Sequence, residues 1–175
     1  MNEVPMSRTK ALFAPLTYGL PQLKLYLVGE ASANLKARTI RRPAEAARLL
    51  APLRHAPEEH FVSLHLNAKH EVIGIHEVSH GTLSASLVHP REVYKAALLA
   101  NSFAILVCHN HPSGSALTPS QEDFATTKQL LAAGQLLGVT LIDHLIVGPP
   151  KRRHDAFFSF REQHPQLWGG EKSSS

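Results

Sequence analysis

The feature that most constrains this chain is the run FAILVC at 103–108: six apolar residues without a polar break, ending abruptly at His109. The run is too short for an ordinary helix and suits a strand buried in a sheet. The flanking sequence supplies helices. Pro90 opens PREVYKAALLAN, which reads as a helix to about Asn101. Downstream, HNHPSGSALTPS gathers turn residues before a helix start. Thr118 is placed to be the N-cap, Pro119 the first helical position, and Gln121 the far corner of a capping box. That helix runs to about Leu137 and stops at Gly138. VTLIDHLIVG (139–148) then gives a second buried strand.

Earlier segments extend the same pattern. LKLYLVG (23–29) is rich in β-formers and reads as a strand. Pro43 starts a short amphipathic segment, AEAARLLAPL, which Pro52 limits. HFVSLHL (60–66) and VIGIHEV (72–78) are strands joined by the turn NAKH (67–70), and LSASLV (83–88) extends again after Gly81. FFSF (157–160) closes as a short strand. Hairpin strands come first and alternating strands and helices later, which makes the fold class α/β. The organisation expected is an N-terminal extension at 1–57, a main domain at 58–162 and a disordered tail at 163–175.

Composition narrows the function classes. Of 175 residues, 43% are hydrophobic and 18% charged, which excludes a disordered chain, a collagen and a coiled coil. Cys108 is the single cysteine, so intrachain disulfides and multi-cysteine zinc sites are excluded, including the paired-cysteine site of deaminases. The best apolar stretch, AALLANSFAILVC, is broken by Asn101 and Ser102 and cannot span a bilayer. The first residues make a poor signal peptide, so a cytoplasmic location and no membrane partner are expected. Charge is uneven: residues 1–57 hold nine Lys/Arg against three Asp/Glu, and residues 58–148 hold four against eight. Nucleic-acid readers carry positive charge on the reading surface, and here the middle of the chain is acidic.

The chemistry lies just past FAILVC. In extended backbone, His109 and His111 point to one side and Asn110 to the other. Ser120 and Asp123, three apart at the next helix start, share a helical face. A strand-end histidine pair and a helix-start aspartate can meet across the loop. His109, His111 and Asp123 then make three ligands suited to Zn²⁺ with one position open. Ser and Asp at a helix start also serve as caps and dipole partners.

HNHPSG followed by TPSQED resembles the RadC-like members of the JAMM (MPN/JAB) metalloprotease superfamily. EEHFVSLHLN, the run GTLSASLVHPREVYKAALLANSFAILVC and LIDHLIVG extend the resemblance over residues 59 to about 160. Residues 23–57 resemble the N-terminal extension of short RadC-like proteins, and the helix-hairpin-helix segment of longer ones is not evident. The resemblance implies the JAMM/MPN (cytidine-deaminase-like) fold, a curved mixed β-sheet flanked by helices. It implies one zinc ion on His109, His111 and Asp123, Ser120 as a supporting or oxyanion-stabilising hydroxyl, and Glu59 as general base. Glu58 is the neighbouring alternative; Glu77 lies on the next strand, and the helix dipole explains Glu92. The reaction implied is hydrolysis of a peptide or isopeptide bond in a protein or peptide substrate. DNA processing and a non-catalytic scaffold are the competing readings. The stretch between His111 and Ser120 is one residue longer than usual, around SAL (115–117).

Other residues have plainer readings. Cys108 fills the strand and points away from His109. Asp143 and His144 read as a hydrogen-bonded pair supporting the sheet or the site, not a second metal centre. His55, His60, His65, His70, His76, His80 and His89 read as surface or structural histidines, and Lys151–Arg153 as a solvated loop.

Overall fold

The computed structural model describes residues 38–81, 88–112, 117–149 and 157–169. The strand expected at 23–29, most of that at 83–88, part of the SAL stretch and the basic run 151–153 lie outside the described residues.

A mixed sheet of five strands forms the centre, in the order β2-β1-β3-β4-β5. These are β1 (His60–Leu66), β2 (Val72–His80), β3 (Ala104–Asn110), β4 (Thr140–Val147) and β5 (Phe157–Ser159). Only β3 and β4 run parallel; the other neighbours are antiparallel. The helices are α1 (Pro43–Leu49), α2 (Pro90–Leu99), α3 (Gln121–Leu137) and α4 (Phe160–Gln163). The sheet is open and helix-flanked, as expected of an α/β chain with a JAMM/MPN fold.

FAILVC becomes the middle strand, and every residue of β3 is buried. Its side chains alternate between two apolar layers. Leu106 and Cys108 face Ala46, Ala47 and Leu50 of α1 and the turn after it. Ile105 and Val107 face Val93, Tyr94 and Ala97 of α2 and Leu130 of α3. Burial of both faces also pushes the Cys108 thiol up, so it stays protonated filler. β1 is buried on both faces too, so its polar side chains need partners. His65 bonds Ser63 Oγ at 3.1 Å and Ser102 Oγ at 3.0 Å. α3 ends where Gly138 turns left-handed at φ 69°. Within α3, Gly134 allows close approach: an added Cβ would meet Val139 O at 2.5 Å and Tyr94 Oη at 2.4 Å.

Within the N-terminal segment, Ile40, Ala46, Ala47 and Leu50 pack in the same core as β1, β3 and β4, so its short helix lies against the sheet. The tail does not lose order at 163. Ser159 caps α4, and Pro165–Trp168 forms a 3-10 turn whose indole Nε1 donates to Leu141 O at 2.8 Å. Trp168 is partly buried against the apolar layer of α2 and α3, which ties the turn to the domain. FFSF is likewise split: Phe157–Ser159 is strand and Phe160 begins α4.

One irregularity interrupts the β3–β4 ladder. Ile105 pairs with Leu141 and Val107 with His144, so β4 carries one extra residue across that step. Leu141 and His144 are three apart and in regular alternation would face opposite ways. The bulge turns both toward the α2–α3 layer.

Among the described residues, no helix is long and apolar enough to cross a membrane.

Candidate metal centre

The last residues of β3 carry the site. His109 is fully buried. His111 lies one residue past the strand, but its N–H donates to Val147 O at 2.9 Å, which keeps it in line with the ladder. The two imidazoles therefore project to the same side, with their Nε2 atoms 3.1 Å apart. Cys108 faces the opposite layer, as expected.

Asp123 arrives from the start of α3. The cap is Ser120, not Thr118, and the box closes on Asp123, not Gln121. Asp123 holds the third helical position, from which a carboxylate can reach back to the cap, whereas Gln121 is the first. Asp123 Oδ2 accepts from Ser120 N at 2.7 Å and Ser120 Oγ at 2.8 Å, and Ser120 Oγ accepts from Asp123 N at 3.1 Å. This fixes the carboxylate so that Oδ1 stands 3.3 Å from His109 Nε2. Oδ2 is 4.0 Å from His111 Nε2. The bland reading of Ser120 and the functional reading of Asp123 are thus one piece of geometry.

The three side chains converge with one ligand atom each inside 4.8 Å. Two ligands at about 2.0–2.1 Å from a tetrahedral ion stand about 3.3 Å apart. The His109–His111 and His109–Asp123 distances match that edge, and the His111–Asp123 distance is looser. Two imidazole nitrogens and a carboxylate oxygen are also a donor set that transition-metal and zinc sites use. The group can hold a metal ion. Burial lowers the His109 pKa to about 4, against the opposing pull of Asp123, so its ring is neutral at pH 7 as a ligand must be. His111 alone keeps exposure, at 19% of its side chain, and marks the solvent side.

Glu59 stands immediately before β1. The pairing of Phe61 with His109 brings that end of β1 beside the histidines. Asn110, between the two histidines, holds it there: its Oδ1 accepts from His60 N at 2.7 Å and its Nδ2 donates to Glu58 O at 2.8 Å. Half-burial raises the Glu59 pKa, and the Asp123 carboxylate raises it further. Two other acids named above are engaged elsewhere. Glu77 pairs with His60 on the outer strand at 2.6 Å. Glu92 pairs with Lys95 at 2.6 Å at the start of α2.

Asp143 and His144 are not bonded side chain to side chain. The Asp143 carboxylate accepts from the backbone N–H of His144 at 2.7 Å, from Ser159 Oγ at 2.6 Å and from Arg161 N at 3.0 Å. The His144 ring turns the other way. Its Nε2 lies 2.9 Å from His109 Nδ1 and its Nδ1 2.7 Å from Thr127 Oγ1. Thr127 and the clamp formed by Asn110 escaped the sequence reading altogether. The only signal for Asn110 was its place between the histidines, pointing away.

A family model described as "RadC-like JAB domain" matches residues 40–165. The chain is 45% identical over 119 residues to a UPF0758 protein of Moorella thermoacetica, covering 67% of this chain and 52% of that protein. It is 48% identical over 103 residues to one from Staphylococcus haemolyticus, 59% and 45% of the two chains. With one from Clostridium novyi it shares 41% over 147 residues, 80% and 62%. The chain spans about half the length of these curated relatives.

Proposed function

The chain belongs to the RadC-like JAB domain family, and on that premise we propose that it is a zinc-dependent hydrolase of peptide or isopeptide bonds. The observation that carries this is the convergence of His109, His111 and Asp123 at one point. It is supported by Glu59, whose pKa is raised by burial and by the Asp123 carboxylate and which stands two residues before the Phe61 that pairs with His109. A zinc ion held by those three residues would supply Lewis acidity, polarising an amide carbonyl and acidifying a water.

Every other role falls to the protein. Glu59 receives the water proton and delivers it to the leaving amine. Its raised pKa suits a group that must both accept and release that proton. Asn110 keeps the Glu59 backbone in register with β3. Ser120 orients Asp123 through two hydrogen bonds to one carboxylate oxygen. Its backbone N–H alone can hold that oxygen while the hydroxyl turns toward a developing oxyanion. The side on which His111 keeps its exposure is where a protein or peptide substrate would enter.

The test is Glu59→Gln, assayed with zinc-loaded protein on peptide and lysine ε-amide substrates. Zinc content at one ion per chain in both proteins, with cleavage at least 100-fold slower in the variant, is expected. A wild-type protein that takes up no zinc, or a variant cleaving at the wild-type rate, refutes the proposal.

A further inference from the structure

His109 faces the site through Nε2, so its other ring nitrogen decides whether that atom is free to act as a ligand. Nδ1 of His109 meets Nε2 of His144 at 2.9 Å, Nδ1 of His144 meets Thr127 Oγ1 at 2.7 Å, and Thr127 Oγ1 meets the backbone carbonyl of Asp123 at 2.6 Å. Each contact holds one hydrogen, and a carbonyl can only accept. The Thr127 hydroxyl therefore donates to Asp123 O; the reverse would leave two oxygens face to face at 2.6 Å. Toward His144 that hydroxyl must accept, so His144 carries its hydrogen on Nδ1. The His144 ring is fully buried, stacked on Phe160 with Phe61 at its edge. Its nitrogens meet a hydroxyl and an imidazole, not a carboxylate, and a ring in that setting holds one hydrogen. Its Nε2 is then bare and accepts from the Nδ1–H of His109. His109 is left with a bare Nε2 aimed at His111 and Asp123.

We infer that Thr127 and His144 are positioning residues whose hydrogen-bond chain, anchored on the Asp123 carbonyl, sets the ring hydrogen of His109 on Nδ1 and leaves Nε2 as a preformed metal ligand. The inference rests on the metal site proposed above. It joins two ligands from different elements: the chain begins at the backbone of Asp123 on α3 and ends at His109 on β3. Histidine ligands commonly give their second N–H to a carboxylate or a carbonyl. Here the acceptor is a second imidazole, and the threonine supplies the direction that an imidazole alone lacks.

The test reads the ring nitrogens of metal-free protein by ¹⁵N–¹H correlation NMR, alongside zinc affinity by chelator competition. The wild type is expected to show His109 with its hydrogen on Nδ1. Thr127→Val removes the acceptor, so His144 can shift its hydrogen to Nε2 and drive that of His109 onto the ligand atom. Zinc affinity then falls about 10- to 100-fold, and Thr127→Ser restores both readings. His144→Phe keeps the stacked ring without the acceptor and is expected to weaken zinc similarly, which covers a Thr127→Val that fails to fold. A wild-type His109 with its hydrogen on Nε2, or both variants binding zinc within about twofold of wild type, overturns the inference. Wild type with the stated ring hydrogens but no zinc affinity overturns the metal reading instead.

Discussion

Asn110→Ala separates the metal centre from the group that works beside it. The Asn110 side chain makes two hydrogen bonds, at 2.7 and 2.8 Å, to the backbone on either side of Glu59. Each is worth about 0.5–1.5 kcal/mol net. Both backbone partners sit at the part-buried margin of β1, where water can replace some of the loss, so roughly 2 kcal/mol is expected. For a chain of this size that lowers the melting temperature by about 4–8 °C. His109, His111 and Asp123 do not depend on these bonds, so zinc content should stay at the wild-type level. Amide cleavage should fall about 100-fold, the cost of letting a catalytic group drift by about 1 Å. Asn110→Asp keeps the acceptor for His60 N but sets a carboxylate oxygen against Glu58 O, and should be at least as damaging. The assays are thermal melts, elemental zinc analysis and initial rates on one preparation. An Asn110→Ala protein with unchanged melting and unchanged rate would refute the clamp; one that loses zinc would show that Asn110 serves β3 itself.

Three further outcomes are expected. His65 is held neutral down to about pH 4 by burial, with His76 adding to the effect, while an unfolded chain protonates it near 6.5. The unfolded state then binds more protons between those values, so stability falls as pH drops through the window, by roughly 3 kcal/mol from this group. Urea melts of metal-free His65→Asn should show a flatter acid slope than wild type, and an equal slope would defeat the assignment. Gly134→Ala should gain about 1 kcal/mol of helix propensity yet lose more through the 2.5 Å approach to Val139 O. A net loss of about 1–3 kcal/mol in denaturant melts is expected, and a stabilised variant would show that α3 can shift. Adding zinc to about 100 times its Kd should stabilise wild type by about 2.7 kcal/mol, and neither His109→Ala nor Asp123→Asn. Stabilisation of both variants would move the site elsewhere.

Local signals carried much of the fold into view. HFVSLHL became β1 over the same residues, and the helix ending at Gly138 stops there because glycine accepts the left-handed turn. The histidine pair and Asp123 were legible because strand and helix periodicities fix which side chains share a side. What escaped depends on contacts between distant segments. Thr118 and Gln121 had as good a capping pattern as Ser120 and Asp123, and what distinguishes them is where Asp123 must stand relative to His109. Asn110 looked idle because its partners, Glu58 and His60, are fifty residues back in sequence. Asp143 and His144 looked like a pair because they are adjacent, yet a strand sends neighbours to opposite faces. The order at Pro165–Trp168 depends on Leu141 O being available to an indole, which no local pattern declares.

The extra residue in β4 has a consequence for anyone who would rebuild this sheet. That strand is written in two frames: up to Leu141 one parity of positions faces the α2–α3 side, and from His144 onward the other does. Straightening the strand with every residue kept would impose a single frame and give a tidier ladder. It would also turn either His144 and all that follows, or Leu141 and all that precedes, to the wrong side. The irregularity is the address at which the second imidazole is delivered, and straightness would erase it.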